Sequence, residues 1–248
     1  MISYDLRTNI GDRENNEDNI GMYQQGEEYC FALADGLGGH GKGETASRLA
    51  VESAVKVFWA EGAGLQCLDA SFQQAQKEIL GRQREDITVR DMKTTLAILH
   101  VGKGKIWWGH IGDSRVYYFQ NGKLVQRTLD HSVPQMLALS GQIKEKQIRR
   151  HPDRNRLLWA LGSQWDRPRY QLEEPKARQG KQALLLCSDG FWELIDEKRM
   201  EACLKKAKTA TQWIHMMEDI VKKNGQGKPM DNYSAVTVWL EQEAGTWR

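Results

Sequence analysis

Thr95-Leu-Ala-Ile-Leu-His-Val101, Lys105-Ile-Trp-Trp-Gly-His-Ile111 and Arg115-Val-Tyr-Tyr-Phe119 follow one another within residues 94–126. Each is an apolar run of strand length, rich in β-branched and aromatic residues, and each is bounded by turn formers. Gly102-Lys-Gly104 separates the first two, and Asn121-Gly122, a strong hairpin signal, closes the third. The span reads as a meander of consecutive antiparallel strands. Neighbouring side chains on a strand point to opposite faces, so Trp107 and Trp108 must enter different layers.

Further strands are expected over residues 3–9, 19–24, 28–34, 183–187 and 234–240. Before the meander, Ala46, Leu49, Ala50, Ala54, Val57 and Phe58 recur at three-and-four spacing and predict a helix over 44–59. Leu65, Leu68, Phe72, Ala75 and Ile79 carry a second helix directly after it. Others are expected over 133–139, 197–207 and 211–222. Strands cluster and helices come in pairs instead of alternating with them. That pattern implies a layered α+β sandwich and excludes a doubly wound parallel sheet. With no internal repeat, low-complexity tract or Pro/Ser-rich linker, residues 1–248 read as one domain.

Among the 248 residues, 35 Lys and Arg stand against 33 Asp and Glu, a net charge of +2 that weighs against a nucleic-acid binder. A content of 40% hydrophobic and 27% charged residues describes a globular chain able to build a core. No apolar stretch approaches the ~20 residues needed to span a bilayer, and Met1-Ile2-Ser3-Tyr4-Asp5 does not resemble a signal peptide, so a cytoplasmic location is expected. Cys30, Cys67, Cys187 and Cys203 form no C-x-x-C pair and read as buried free thiols. The sixth residue after each is Gly36, Gln73, Glu193 or Thr209, never the Arg of a cysteine-phosphatase loop.

Asp35-Gly36-Leu37-Gly38-Gly39-His40-Gly41-Lys42-Gly43-Glu44 joins a predicted strand to the strong helix. Gly36, Gly38 and Gly41 fit a dinucleotide fingerprint, but that motif needs a parallel βαβ unit. Gly36 with Gly41-Lys42 fits a phosphate loop, except that Gly43 stands where Ser or Thr would bind magnesium. Neither motif explains Asp35, a carboxylate at the end of a buried strand. Hard cations take oxygen ligands, and an Asp followed by a flexible Gly can present a carboxylate and a carbonyl from one turn. Asp18, Asp113, Asp189 and Asp231 recur in similar settings, where isolated charges would be costly.

The ordered set Arg13-Glu-Asn-Asn-Glu-Asp18, Asp35-Gly36-Leu37-Gly38-Gly39-His40, Gly112-Asp-Ser-Arg115, Asp130-His131-Ser132, His151-Pro152 with Arg154-Asn155, Ala160-Leu161-Gly162, Ser188-Asp-Gly190 and Asp231-Asn232 resembles the metal-dependent protein phosphatases of type 2C (PPM), in particular their compact bacterial members. The resemblance runs over residues 3–240. It implies a four-layer αββα sandwich, two antiparallel sheets flanked by helical layers. It also implies hydrolysis of phosphoserine and phosphothreonine in proteins by a metal-activated water at a dinuclear Mg2+ or Mn2+ centre.

On that resemblance Asp35 bridges the two ions, the Gly36 carbonyl serves one, and Asp189 and Asp231 serve the other. Glu17 and Asp18 orient water ligands, Arg13 binds the substrate phosphate, and Asp113 with Asp189 reaches a third, weaker cation. The implied partners are phosphoproteins and a Ser/Thr protein kinase, with the chain acting as a monomer. Two positions depart from the pattern. Leu37 replaces the His that many relatives place after Asp-Gly, which leaves the leaving-group acid unassigned, with His40 an alternative. Lys93 replaces the Gly of a Gly-Thr-Thr strand.

Residues 144–156 carry six Lys/Arg against two acids and match the family's flap. Their charge is expected to attract acidic phosphoproteins. Arg115 could instead pair with Asp113, making that motif structural. Two other functions stay open at this point: a nucleotide-binding loop protein with 184–189 as its second strand, and a non-catalytic binding domain of the same fold.

Overall fold

The structure, a computed structural model, describes residues 1–38 and 42–241. The chain opens with β1 (Ile2–Asn9), β2 (Asp18–Gln25) and β3 (Glu28–Leu37), followed by α1 (Lys42–Glu61) and α2 (Leu65–Glu85). The middle holds β4 (Lys93–Thr94), β5 (Leu96–Val101), β6 (Lys105–Ile111), β7 (Arg115–Gln120), β8 (Lys123–Arg127) and α3 (Val133–Leu139). Then come β9 (Gln171–Leu172), β10 (Lys176–Ala177), β11 (Lys181–Cys187), α4 (Asp189–Trp192), α5 (Glu197–Lys206), α6 (Ala210–Gly225) and β12 (Tyr233–Glu241). Helix starts follow side-chain caps: Ser132, Asp196 and Thr209 accept backbone N–H bonds from Gln135, Arg199 and Gln212.

The strands form two antiparallel sheets, one in the order β1-β12-β11-β7-β8 and the other β10-β6-β5-β3-β2. Period-two alternation builds four layers from them. In β3, Tyr29, Phe31 and Leu33 face the opposite sheet, where they meet Val116, Tyr118, Leu184, Leu186, Val236 and Val238. The intervening Cys30, Ala32 and Ala34 face α1 and α2, packing with Ala50, Phe58 and Phe72. On the other outside, Leu185, Cys187 and Ala235 pack with Met200, Trp213 and Met217 of α5 and α6. The αββα sandwich is therefore as expected. Trp108 enters the inter-sheet core and Trp107 the helix-side cluster, as their adjacency requires.

The meander does not continue through its third strand. β5 and β6 pair in one sheet, whereas β7 lies in the other, between β8 and β11. The chain crosses between sheets at Gly112-Asp113-Ser114. Gly112 has φ +94°, and a Cβ there would stand 2.5 Å from Thr95 Cγ2, so the crossing needs both its left-handed backbone and its missing side chain. The crossing carries Asp113 to the end of the sandwich where β2 begins, β3 ends, β11 ends and β12 begins.

Candidate active site

Asp18 and Asp35 occupy opposed positions of the β2–β3 ladder. Asp189 follows the last residues of β11, and Asp231 precedes β12 by two residues. These strand ends meet: Cys187 pairs with Arg115 on one side and Ala235 on the other. Asp35 accordingly feels the charges of Asp18, Asp189, Asp113 and Asp231 together. Burial and these neighbours drive Asp35 well above the usual carboxylate range, and burial with Asp189 and Asp130 does the same for Asp113. Burial, with the nearby Asp189 and Asp231, pushes Asp18 up to about 7. Burial and Asp231 raise Asp189 to about 6, against an opposing hydrogen bond with Asp35.

Backbone and hydroxyl groups fix these carboxylates. The Asp35 N–H donates to Thr95 Oγ1 at 2.9 Å, and the Asp35 carbonyl accepts from Thr95 N–H at 2.9 Å and Thr94 Oγ1 at 2.9 Å. Thr95 Oγ1 also bonds Ser114 Oγ at 2.7 Å, tying Asp35 to the crossing that holds Asp113. Ser188 donates to Asp18 Oδ2 at 2.7 Å while accepting from Ser234 N–H. Asn232 takes the Glu17 N–H on its Oδ1 and donates to the Ile10 and Asn15 carbonyls, stitching residues 10–17 to the start of β12. Thr95, Ser188 and Asn232 thus position the site without an acidic signal of their own.

Two glycine contacts press the elements together. Gly36 donates its N–H to the Glu17 carbonyl at 3.1 Å, and a Cβ on it would stand 2.2 Å from the Gly43 carbonyl oxygen. A Cβ on Gly43 would meet Glu17 Oε2 at 2.7 Å, so the start of α1 lies against both Gly36 and Glu17. Gly39, His40 and Gly41 lie outside the described residues, and with them the alternative role of His40.

Arg13 is exposed and pairs with Asp231, Nη2 to Oδ2 at 2.6 Å. It opens onto a cavity of about 1770 Å3 that is also lined by Asp189, Glu193, Arg150 and Arg154. Burial and Asp189 raise Glu193 to about 7, against its ion pair with Arg154. Arg115 does not pair with Asp113. It forms a bidentate, buried pair with Asp130 at 2.7 and 2.6 Å, while Asp113 feels the charge of Asp189.

The donor set is all oxygen, with no Cys or His among it, which suits a hard cation. Asp18 Oδ1 is buried and has no hydrogen-bond partner among the described residues, a cost that a bound cation would remove. Among the described residues no three His, Cys, Asp or Glu side chains stand as a ready-made ion cage. Crowded like charges favour an opposite charge among them. The residues therefore fit a divalent cation.

The nucleotide-loop motifs fail on topology. β3 is antiparallel to both β2 and β5, and β11, the strand a nucleotide loop would need beside it, lies in the other sheet.

The protein phosphatase 2C family model matches residues 7–228. The chain is 32% identical over 243 residues to the serine/threonine phosphatase stp of Listeria monocytogenes, covering 94% of each. Its structure is similar to that of serine/threonine phosphatase Stp1 from Staphylococcus aureus, with a TM-score of 0.87 at 26% identity over 98% of this chain and 96% of that one. It is also similar to the catalytic domain of the phosphatase PstP in complex with two manganese ions, with a TM-score of 0.82 at 26% identity over 97% and 99%. The chain belongs to the protein phosphatase 2C family and is a phosphoprotein phosphatase, a hydrolase.

Proposed function

We propose that this serine/threonine protein phosphatase hydrolyses phosphoserine and phosphothreonine in proteins at a dinuclear Mn2+ or Mg2+ centre built on Asp35. The observation that carries the reading is the convergence of Asp18, Asp35, Asp189 and Asp231, with one buried oxygen of Asp18 unpartnered among the described residues. Two such cations, when bound, acidify a water and neutralise phosphoryl oxygens. Asp35 would bridge them, the Gly36 carbonyl would serve one, and Asp189 and Asp231 the other. Glu17 and Asp18 would orient water ligands, and Asp113 with Asp189 would hold a third, weaker ion. Arg13 presents an exposed fork beside Asp231, suited to two oxygens of a substrate phosphate.

No thiol competes for the role of nucleophile. All four cysteines are buried, and burial pushes the Cys30 and Cys187 thiols up and Cys67 to about 11, away from thiolate. We read residues 1–248 as one phosphatase domain, a cytoplasmic monomer that reverses the products of a Ser/Thr protein kinase. Among the described residues no helix is long and apolar enough to cross a membrane. Release of inorganic phosphate from a phosphothreonine peptide in the presence of Mn2+ tests the activity. Release is expected, and none from folded protein at saturating Mn2+ would overturn the reading.

A further inference from the structure

Trp192 closes α4, three residues after Asp189, and is 2% exposed. A buried indole N–H requires an acceptor, and this one donates to the Asp113 carbonyl at 2.9 Å. The Arg115 guanidinium lies over the same ring, 3.4 Å from its centroid, and is itself locked by Asp130. Arg149, within the 3-10 turn Glu145–Arg150, stands 5.5 Å from the ring centroid and pairs with Glu197. Ile148 of that turn is buried in the core cluster containing Trp192. One rigid ring thus touches the helix that begins at Asp189, the peptide that carries Asp113, and the turn beside the cavity. One residue earlier on the same crossing, His131 grips Gly112 twice: its backbone N–H donates to the Gly112 carbonyl at 2.9 Å, and its Nδ1 accepts from Gly112 N–H at 3.2 Å.

We propose that Trp192 is a positioning residue for the weak cation site, its indole N–H fixing the Asp113 peptide relative to Asp189. The inference rests on the reading of Asp113 as a ligand of a third cation. Asp113 sits on a glycine-turned crossing between sheets, where backbone freedom would let its carboxylate drift. The Trp192 bond ties that crossing to the helix bearing the other ligand, so the two carboxylates keep one spacing. Trp192→Phe keeps an aromatic ring among the packing neighbours and removes the N–H donor together with one of the two fused rings.

The test is Mn2+ binding to metal-stripped full-length protein, read from the free-ion electron paramagnetic resonance signal, which does not depend on turnover. Wild type, Trp192→Phe, Asp113→Ala and the double variant are compared. The expected result is that Asp113→Ala abolishes the weakest binding phase. Trp192→Phe should weaken that phase by about two- to tenfold, the scale of one net hydrogen bond, and leave the tighter phases unchanged. The double variant should match Asp113→Ala. If Asp113→Ala loses the phase while Trp192→Phe binds as wild type, the role of Trp192 is wrong. If Asp113→Ala also binds as wild type, the third-cation reading fails and takes this inference with it. Should Trp192→Phe not fold, the 15N-labelled indole resonance of Trp192 in wild type serves instead. It should shift with the weakest phase of a Mg2+ titration and stay still in Asp113→Ala, and a resonance indifferent to that phase overturns the proposal.

Discussion

Asp18 and Asp35 face each other at one register position of the β2–β3 ladder, a buried and a partly buried carboxylate directly opposed across antiparallel strands. Like charges in this arrangement destabilise a sheet unless they are protonated or bridged by a cation. The same sandwich end brings Asp189 and Asp231 to this pair, so the fold stores repulsion that metal binding would relieve.

That repulsion has a pH signature. Asp18 moves from 3.8 up to about 7 and Asp189 up to about 6. A carboxyl raised in the folded state contributes stability below its unfolded value and loses it as pH rises through its folded value, here between about 4 and 7. Cations bind the charged form, so the increase in Tm on adding Mn2+ should grow from pH 5 to pH 7.5. His100 and His110, pushed down to about 4 by burial, act in the opposite direction. Their effect cancels when Tm with and without Mn2+ is compared at each pH. A Tm increment that stays flat or shrinks over this range contradicts the cluster.

Arg13→Ala should lower kcat/KM for a phosphopeptide about 10- to 100-fold, the scale of charge-assisted hydrogen bonds to phosphate. The loss should fall mainly on KM, with some loss of kcat if the grip tightens in the transition state. Arg13→Lys should recover only part, because the fork geometry is lost. Unchanged kcat/KM in Arg13→Ala removes the residue from the site.

The basic stretch 144–156 divides into built-in and available charge. Arg149 pairs with Glu197, Arg154 with Glu193 and Arg156 with Asp153, while Arg150 is exposed on the cavity wall and has no ion-pair partner among the described residues. Arg150→Glu should slow dephosphorylation of acidic phosphoproteins, more so at low ionic strength, and spare a small aryl phosphate. Arg149→Glu should instead lower Tm by putting like charges together beside Glu197. Equal loss on both substrates in Arg150→Glu would reject steering by this charge.

A Cβ on Gly190 would stand 2.1 Å from the Asn232 carbonyl oxygen. Gly190→Ala must push α4 away from the start of β12, separating Asp189 from Asp231. The expected cost is about 1–3 kcal/mol of stability, together with weaker Mn2+ binding by calorimetry. A variant with wild-type Tm and metal affinity would show that this contact does not set the ligand spacing.

Local patterns made most of the architecture readable. The apolar stripe of α1 and the Trp107–Trp108 pair each predict a layer, and each lies there. The crossing at Gly112 was not readable, because Gly, Asp and Ser form a hairpin turn and a change of sheet alike. α4 escaped because its four residues are too few to show a period. The acidic residues stood out as charges at the ends of apolar strands. Their supports did not: Thr95, Ser188, Asn232 and Trp192 act through bonds to residues 19 to 222 positions away, and such pairings exist only once the sheets have packed. For the same reason the partner of Arg115 is Asp130 in the folded chain, not the nearer Asp113.

The most direct test of a catalytic centre built on Asp35 is phosphate release from a phosphothreonine peptide by metal-stripped protein, with Mn2+ restored or chelator kept, beside Asp35→Asn. Wild type should be inactive with chelator and active with Mn2+, and Asp35→Asn should stay folded yet inactive at every Mn2+ concentration. Full activity in chelator, or wild-type turnover by Asp35→Asn, would contradict the account.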